Sequence, residues 1–160
     1  MRVAVLAFVL AALIGPAHGK ETKLIKLERM DVDVLARTLY GEARGEGISG
    51  MQAIAWVVVN RVKRGPPRFP STVAGVVKQP HQFTCWSPSD PNAKVCAAAN
   101  EKDPAFVQAI YAASGVLAGL VPSPIGDADH YHVTSMPSPP YWANRMKLVK
   151  KIGAHSFFRE

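Results

Sequence analysis

The chain has 160 residues, 19 Lys+Arg against 12 Asp+Glu, and two cysteines. That length suits one domain of about 100–200 residues, and 48% hydrophobic with only 19% charged residues excludes a disordered tail. The net charge of +7 points to an acidic partner and leaves nucleic acid, anionic lipid and bacterial cell wall open.

Residues 1–19 read as a secretory leader. Arg2 supplies the positive start, Val3 to Ile14 is an unbroken apolar run, Pro16 breaks it, and Ala17-His18-Gly19 offers small residues to a signal peptidase. The run is shorter than the ~20 residues of a membrane span; an uncleaved anchor is the alternative. Residues 20–30 mix Lys and Glu with single apolar residues and read as a tether. The expectation is an exported, monomeric domain over residues 31–160, in the periplasm or cell wall, with no span left after cleavage. In an oxidising compartment the lone pair Cys85 and Cys96 reads as a disulfide. Its short loop would add roughly 3 kcal/mol. A catalytic thiol is the functional alternative.

Asp31 or Asp33 can cap a first helix running to about Arg44. Leu35, Thr38, Leu39 and Glu42 share one face of it. Gly45 and Gly47 end it. A second helix starts near Ser49 or Gly50, carries the stripe Met51, Ala55, Val58 and Val62, and stops at Gly65. Its Ala53–Val59 stretch is apolar all round, which predicts burial on most sides. Residues 71–77 predict a short helix. Residues 79–102 read as irregular. Asp103-Pro104 opens another helix with a capping Asp and Pro at the first position. Its stripe is Phe106, Ile110, Ala113, Leu117 and Leu120. The prolines from Pro122 to Pro140 exclude a long helix. His130 to Val133 reads as a short strand, and an apolar patch over residues 152–158 closes the chain. The predicted class is α+β, mostly helical, with one small extended element.

The most informative stretch is Tyr40-Gly41-Glu42-Ala43-Arg44-Gly45-Glu46. Glu42 lies on the apolar helix face. An inward carboxyl beside apolar side chains prefers to stay protonated, which suits a general acid. Glu46 is placed near it, and two close carboxylates would oppose ionisation of one of them. The competing reading pairs Glu42 or Glu46 with Arg44 or Arg61 as a brace. Asn60 and Arg61, at the end of the buried helix, are expected to bond loop backbone. Phe83, Trp86, Tyr131, Tyr141 and Trp142 fall in loops or extended segments, where aromatics wall clefts and stack on sugars; filling a small core is the competing fate. His130 and His132 share a strand face, a metal-ligand spacing. A zinc site would need a third ligand from His81, His155 or Asp129. No GxxxxGK[ST], CxxC or GxSxG pattern occurs, so P-loop nucleotide, zinc-ribbon and serine-hydrolase readings lack support. Export argues against nucleic acid.

Residues 35–46 and 50–62, with 69–77, Gln82-Phe83-Thr84, Tyr131, Pro140-Tyr141-Trp142 and residues 152–157, resemble the SleB-type cell-wall hydrolases, the spore-cortex-lytic enzyme family. The resemblance implies a lysozyme-like, two-lobed fold with a helical lobe, a small β element and a cleft between them. It implies cleavage of the β-1,4 bond between N-acetylmuramic acid and N-acetylglucosamine in peptidoglycan, by hydrolysis or by lytic transglycosylation. It places the catalytic glutamate at Glu42. Glu46, Phe83, Trp86, Tyr131, His132 and Trp142 are expected to bind the glycan, with no cofactor and no metal. If water attacks, Glu46, Asp127 and Asp129 are the candidate bases. The chain departs from the spore enzymes in having the Cys85/Cys96 pair and the His-Tyr-His element, and it is expected to lack the separate peptidoglycan-binding domain that many of them carry. General wall remodelling or a phage-like lytic role therefore fits better than spore cortex. The runner-up activity is a zinc-dependent peptidoglycan peptidase or amidase using His130 and His132, and the third reading is a wall-binding module.

Overall fold

Helix α2 (Gly47–Arg64) is the axis of the structure. Met51, Ala53, Ile54, Ala55, Val57, Val58 and Val59 are all buried. Apolar residues circle the helix, so neighbours must enclose it. That enclosure holds three consecutive valines helical although valine favours strands. Gly65 ends the helix at φ 62°, and its N–H returns to the Arg61 carbonyl at 3.0 Å. The computed structural model describes residues 29–160; the leader and residues 20–28 of the tether lie outside the described residues.

Helix α1 (Arg29–Ala43) begins slightly earlier than expected and packs on α2 and on α5 (Pro104–Leu117). Leu35, Thr38 and Leu39 are fully buried, as their spacing predicts. Helix α3 (Val73–Val77) is capped by Thr72, whose Oγ1 accepts the Gly75 N–H at 3.1 Å. Helix α5 opens as its sequence predicts, with Asp103 Oδ1 accepting the Ala105 N–H at 2.8 Å. Its stripe stops at Leu117. Gly119, at φ 71°, turns the chain and leaves Leu120 81% exposed.

Residues 79–102 are more ordered than expected. They contain a 3-10 turn at Thr84–Trp86 and helix α4 (Asn92–Ala98), which packs on α1. Asp90-Pro91 carries the same start signal as Asp103-Pro104, and Asp90 Oδ1 accepts the Asn92 N–H at 2.7 Å. The expected bridge between Cys85 and Cys96 is not formed. Both are buried free thiols, brought together against Gly41. A Cβ at Gly41 would lie 2.8 Å from Cys85 Cβ and 3.0 Å from Cys96 Sγ, so only glycine admits this approach.

The single expected extended element is a three-stranded antiparallel sheet, β1 (His130–Val133), β2 (Lys147–Ile152) and β3 (His155–Arg159), in the order β1-β3-β2. Central β3 is buried from His155 to Phe158. Edge strand β2 exposes Lys147, Lys150 and Lys151 and bulges between Leu148 and Lys150. Lysines and a bulge blunt an edge against unwanted pairing, and they also hide the strand from its sequence pattern. Phe157, with no exposed surface, anchors the sheet in the helical core.

The end of α2 fixes the approach to β1. Asn60 Nδ2 donates to the carbonyls of Gly126 and Ala128 at 2.9 and 2.8 Å, and Arg61 Nε donates to the Asp129 carbonyl at 2.7 Å. This is the backbone role expected of the pair. Asn60→Ala leaves these carbonyls short of a donor and is expected to cost about 1–3 kcal/mol in denaturant unfolding. An unchanged midpoint would show that the tie is incidental.

Candidate active site

Glu42 sits in the last turn of α1, and Tyr131 in β1 faces it. The Tyr131 hydroxyl donates to Glu42 Oε2 at 2.9 Å. Tyr131 is itself held on three sides. Phe157 stacks on it at 5.9 Å, His155 meets it edge-on at 5.4 Å, and Phe83 lies 6.5 Å away. Burial pushes the Glu42 carboxyl above its ordinary range, the Tyr131 hydrogen bond pulls the other way, and the Asp90 charge adds to the rise. Burial, then the Glu42 charge, raises the Tyr131 hydroxyl well above its usual value, so it remains a donor. A half-buried carboxyl held by a permanent donor can release a proton and still be stabilised as the anion.

The two residues lie in a cleft of about 530 Å³, whose walls include Arg61, His132, Trp142 and His155. Tyr131 and His132 point to opposite sides of β1, as strand alternation requires. Tyr131 reaches the core while His132 stacks on Phe158 at 5.1 Å. The cleft crosses the strand, so both still line it. Trp142 is half-buried and packs on His130, His132 and Phe158.

Several expected site residues lie elsewhere. Glu46 does not line the cleft. Gly45 and Gly47 break the helix after Ala43, so the four-residue spacing does not put Glu46 on the face of Glu42. Its Oε2 instead accepts the Ala154 N–H at 2.8 Å and holds the β2–β3 turn. Phe83 is buried beneath Arg61 and supports Tyr131 from behind. Trp86 donates from Nε1 to Thr38 Oγ1 at 2.9 Å and lines the adjoining cavity. The expected arginine braces also go elsewhere: Arg44 donates to Asn92 Oδ1, and Arg61 to Gln82 Oε1. Of the candidate bases, Asp127 pairs with Arg159 at 2.8 Å, and buried Asp129 with Arg64 at 2.6 Å and His130 at 2.7 Å. Among the described residues lining the cleft, Glu42 is the only carboxylate.

The zinc arrangement is not favoured. Both strand imidazoles pack on Trp142, at 5.1 and 5.9 Å. Each Nδ1 is engaged, His130 with Asp129 Oδ1 and His132 with the Val133 carbonyl at 2.8 Å. Among the described residues no three His, Cys, Asp or Glu side chains group as a metal site.

Two cleft residues were read from the sequence in other roles, Arg61 as a bond to loop backbone or a brace and His155 as a candidate zinc ligand. Arg61 is buried, with its guanidinium over Phe69 and Phe83. His155 is 5% exposed, and burial lowers its pKa, so it is neutral at pH 7. Its place in the apolar run ending the chain was the available signal.

Glu42 also couples folding to pH. A raised folded pKa means stability is fully present below the ordinary glutamate value and falls as pH rises through the folded one. Glu42→Gln is therefore expected to raise the thermal midpoint at neutral pH, with the gain vanishing below about pH 4. A gain independent of pH would deny the raised pKa. Tyr131→Phe removes the one interaction that lowers the Glu42 pKa, and NMR titration is expected to find it higher still.

The cell-wall hydrolase family model matches residues 45–158. The spore cortex-lytic enzyme of Bacillus subtilis is 50% identical over 54 residues, 34% of this chain and 17% of that protein. The cell wall hydrolase CwlJ of the same organism is 36% identical over 62 residues, 38% of this chain and 44% of that protein. The chain thus spans well under half the length of the first of these curated relatives. Among solved structures, the catalytic domain of the germination-specific lytic transglycosylase SleB from Bacillus anthracis superposes with TM-score 0.64 and 30% identity, covering 84% of this chain and 98% of that one. The catalytic domain of Bacillus cereus SleB gives TM-score 0.64 and 28% identity over 89% of this chain and 100% of that one. A helical lobe closed by a small sheet, matched over nearly the full length of both solved domains and by the family model, makes this chain a member of the SleB-type cell-wall hydrolase family.

Proposed function

We propose that the protein cleaves the β-1,4 bond between N-acetylmuramic acid and N-acetylglucosamine in peptidoglycan, as a lytic transglycosylase with Glu42 as its acid. The observation that carries this reading is the cleft carboxyl of Glu42, the only one among the described lining residues, with its pKa raised by burial and its anion bonded by Tyr131. Protonated Glu42 gives its proton to the glycosidic oxygen as the bond breaks, leaving an oxocarbenium-like muramyl sugar. The Tyr131 hydroxyl stabilises the carboxylate so formed. The sugar's own C6 hydroxyl then attacks C1, and Glu42 takes up that proton, closing a 1,6-anhydro ring and restoring the acid. Inverting hydrolysis would instead need a second carboxylate opposite, about 6.5–9.5 Å away. The likeness to a lytic transglycosylase catalytic domain supports the same choice.

His132 and Trp142, on the far wall, are assigned to the glycan. The basic chain suits anionic murein. The leader pattern supports export to the periplasm or wall. Oxidation there would join Cys85 and Cys96, whose sulfurs both lie against Gly41; thiol titration of the unfolded, unreduced exported protein is expected to find none free. Two reactive thiols would refute it.

Glu42→Gln keeps the shape and the Tyr131 bond but cannot act as a carboxylic acid. It is expected to lower wall-lytic activity by about 10²–10⁴-fold with the fold intact. A folded variant retaining more than about a tenth of the rate contradicts the assignment. Trp142→Ala is expected to weaken glycan binding more than it lowers thermal stability; the reverse would return Trp142 to the core.

A further inference from the structure

A second cavity, of about 500 Å³, adjoins the Glu42 cleft, and His81 and Thr84 line both. His81 at this junction holds φ 63°, a conformation rare outside glycine. The second cavity is unlike the first. Its aromatic wall, Trp86, has Lys78 Nζ over its ring at 5.0 Å. That ammonium occupies a face that a sugar would need for stacking. Among the described residues Lys78 forms no ion pair, so the charge is directed at whatever enters. Asp90 supplies the opposite charge in the same wall, fixed by the Asn92 N–H at 2.7 Å. The hydroxyls of Ser87 and Ser89 lie in this wall 2.9 Å apart, and the Gln79 amide oxygen has no hydrogen-bond partner.

An occupant for this cavity carries a carboxylate for Lys78, an ammonium or amide for Asp90, and backbone amides for the serines. That is a short zwitterionic peptide rather than a hexose. Peptidoglycan hangs such a peptide from each substituted muramyl residue, beside the bond that Glu42 would cut. We infer that the cavity walled by Lys78, Trp86 and Asp90 binds the stem peptide of the muramyl residue seated over Glu42, and so selects peptide-bearing strands over bare glycan. The inference rests on the proposed glycan substrate and adds to it a source of specificity outside the cleft.

The test is equilibrium binding of the N-acetylglucosaminyl-N-acetylmuramyl disaccharide with and without its tetrapeptide, a ligand that lacks the muramyl–glucosaminyl bond to be cut. The wild-type chain is expected to bind the peptide-bearing form about two- to fivefold more tightly, the size of one charge contact. Lys78→Glu is expected to abolish that preference and leave affinity for the bare disaccharide unchanged, which also controls for folding. Equal affinity of the wild type for both ligands, failure to bind either, or a preference that survives Lys78→Glu overturns the peptide site. Cleavage of intact peptidoglycan, measured on the same preparations, bears on the proposed activity alone.

Discussion

One hydrogen bond joins residues 89 positions apart: the Tyr131 hydroxyl reaches from the sheet to Glu42 on the helical lobe. Its geometry depends on how the sheet docks. Phe157 buries the central strand in the helical core, and register places Tyr131 directly opposite it. Asn60 and Arg61 hold the approach to β1, and Glu46 holds the β2–β3 turn. A shift of β1 by one residue would turn the tyrosine away from Glu42 and put an imidazole in its place.

The same contact sets the electrostatics. Burial alone favours the protonated form of Glu42 but makes the carboxylate costly once the proton leaves. A single neutral donor moderates that cost while the net shift stays upward, where a nearby arginine would push it down. Arg61 lines the cleft but spends its hydrogen bonds on Asp129 and Gln82. Asp129 pairs with Arg64 and His130. The charged groups around the cleft are thus largely tied to one another, and Glu42 is left to a phenol.

Much of this was legible in the sequence where local rules and burial agree. The all-apolar turn of α2, the Asp103-Pro104 start and the placement of Glu42 on an inward face rest on period and capping, which the fold respects. Glu46 was misplaced because helical spacing was extended across Gly45 and Gly47, where the helix ends. Helix α4 was missed although Asp90-Pro91 carried its start, because prolines and cysteines around it read as loop. Strand β2 was missed because its pattern is that of an exposed edge, rich in lysine. Phe83 illustrates the remaining difficulty: an aromatic in an irregular segment can wall a cleft or support the residue that does, and only packing distinguishes them.

The central claim is that one carboxyl both gives and retrieves the proton, with no water consumed. Digestion of purified peptidoglycan in ¹⁸O-labelled water, followed by mass spectrometry of the muramyl ends, tests it most directly. The account predicts 1,6-anhydromuramyl ends, lighter than hydrolysed ends by one water and free of the heavy isotope. Reducing muramyl ends carrying ¹⁸O at C1 would contradict it and require a second, water-activating group.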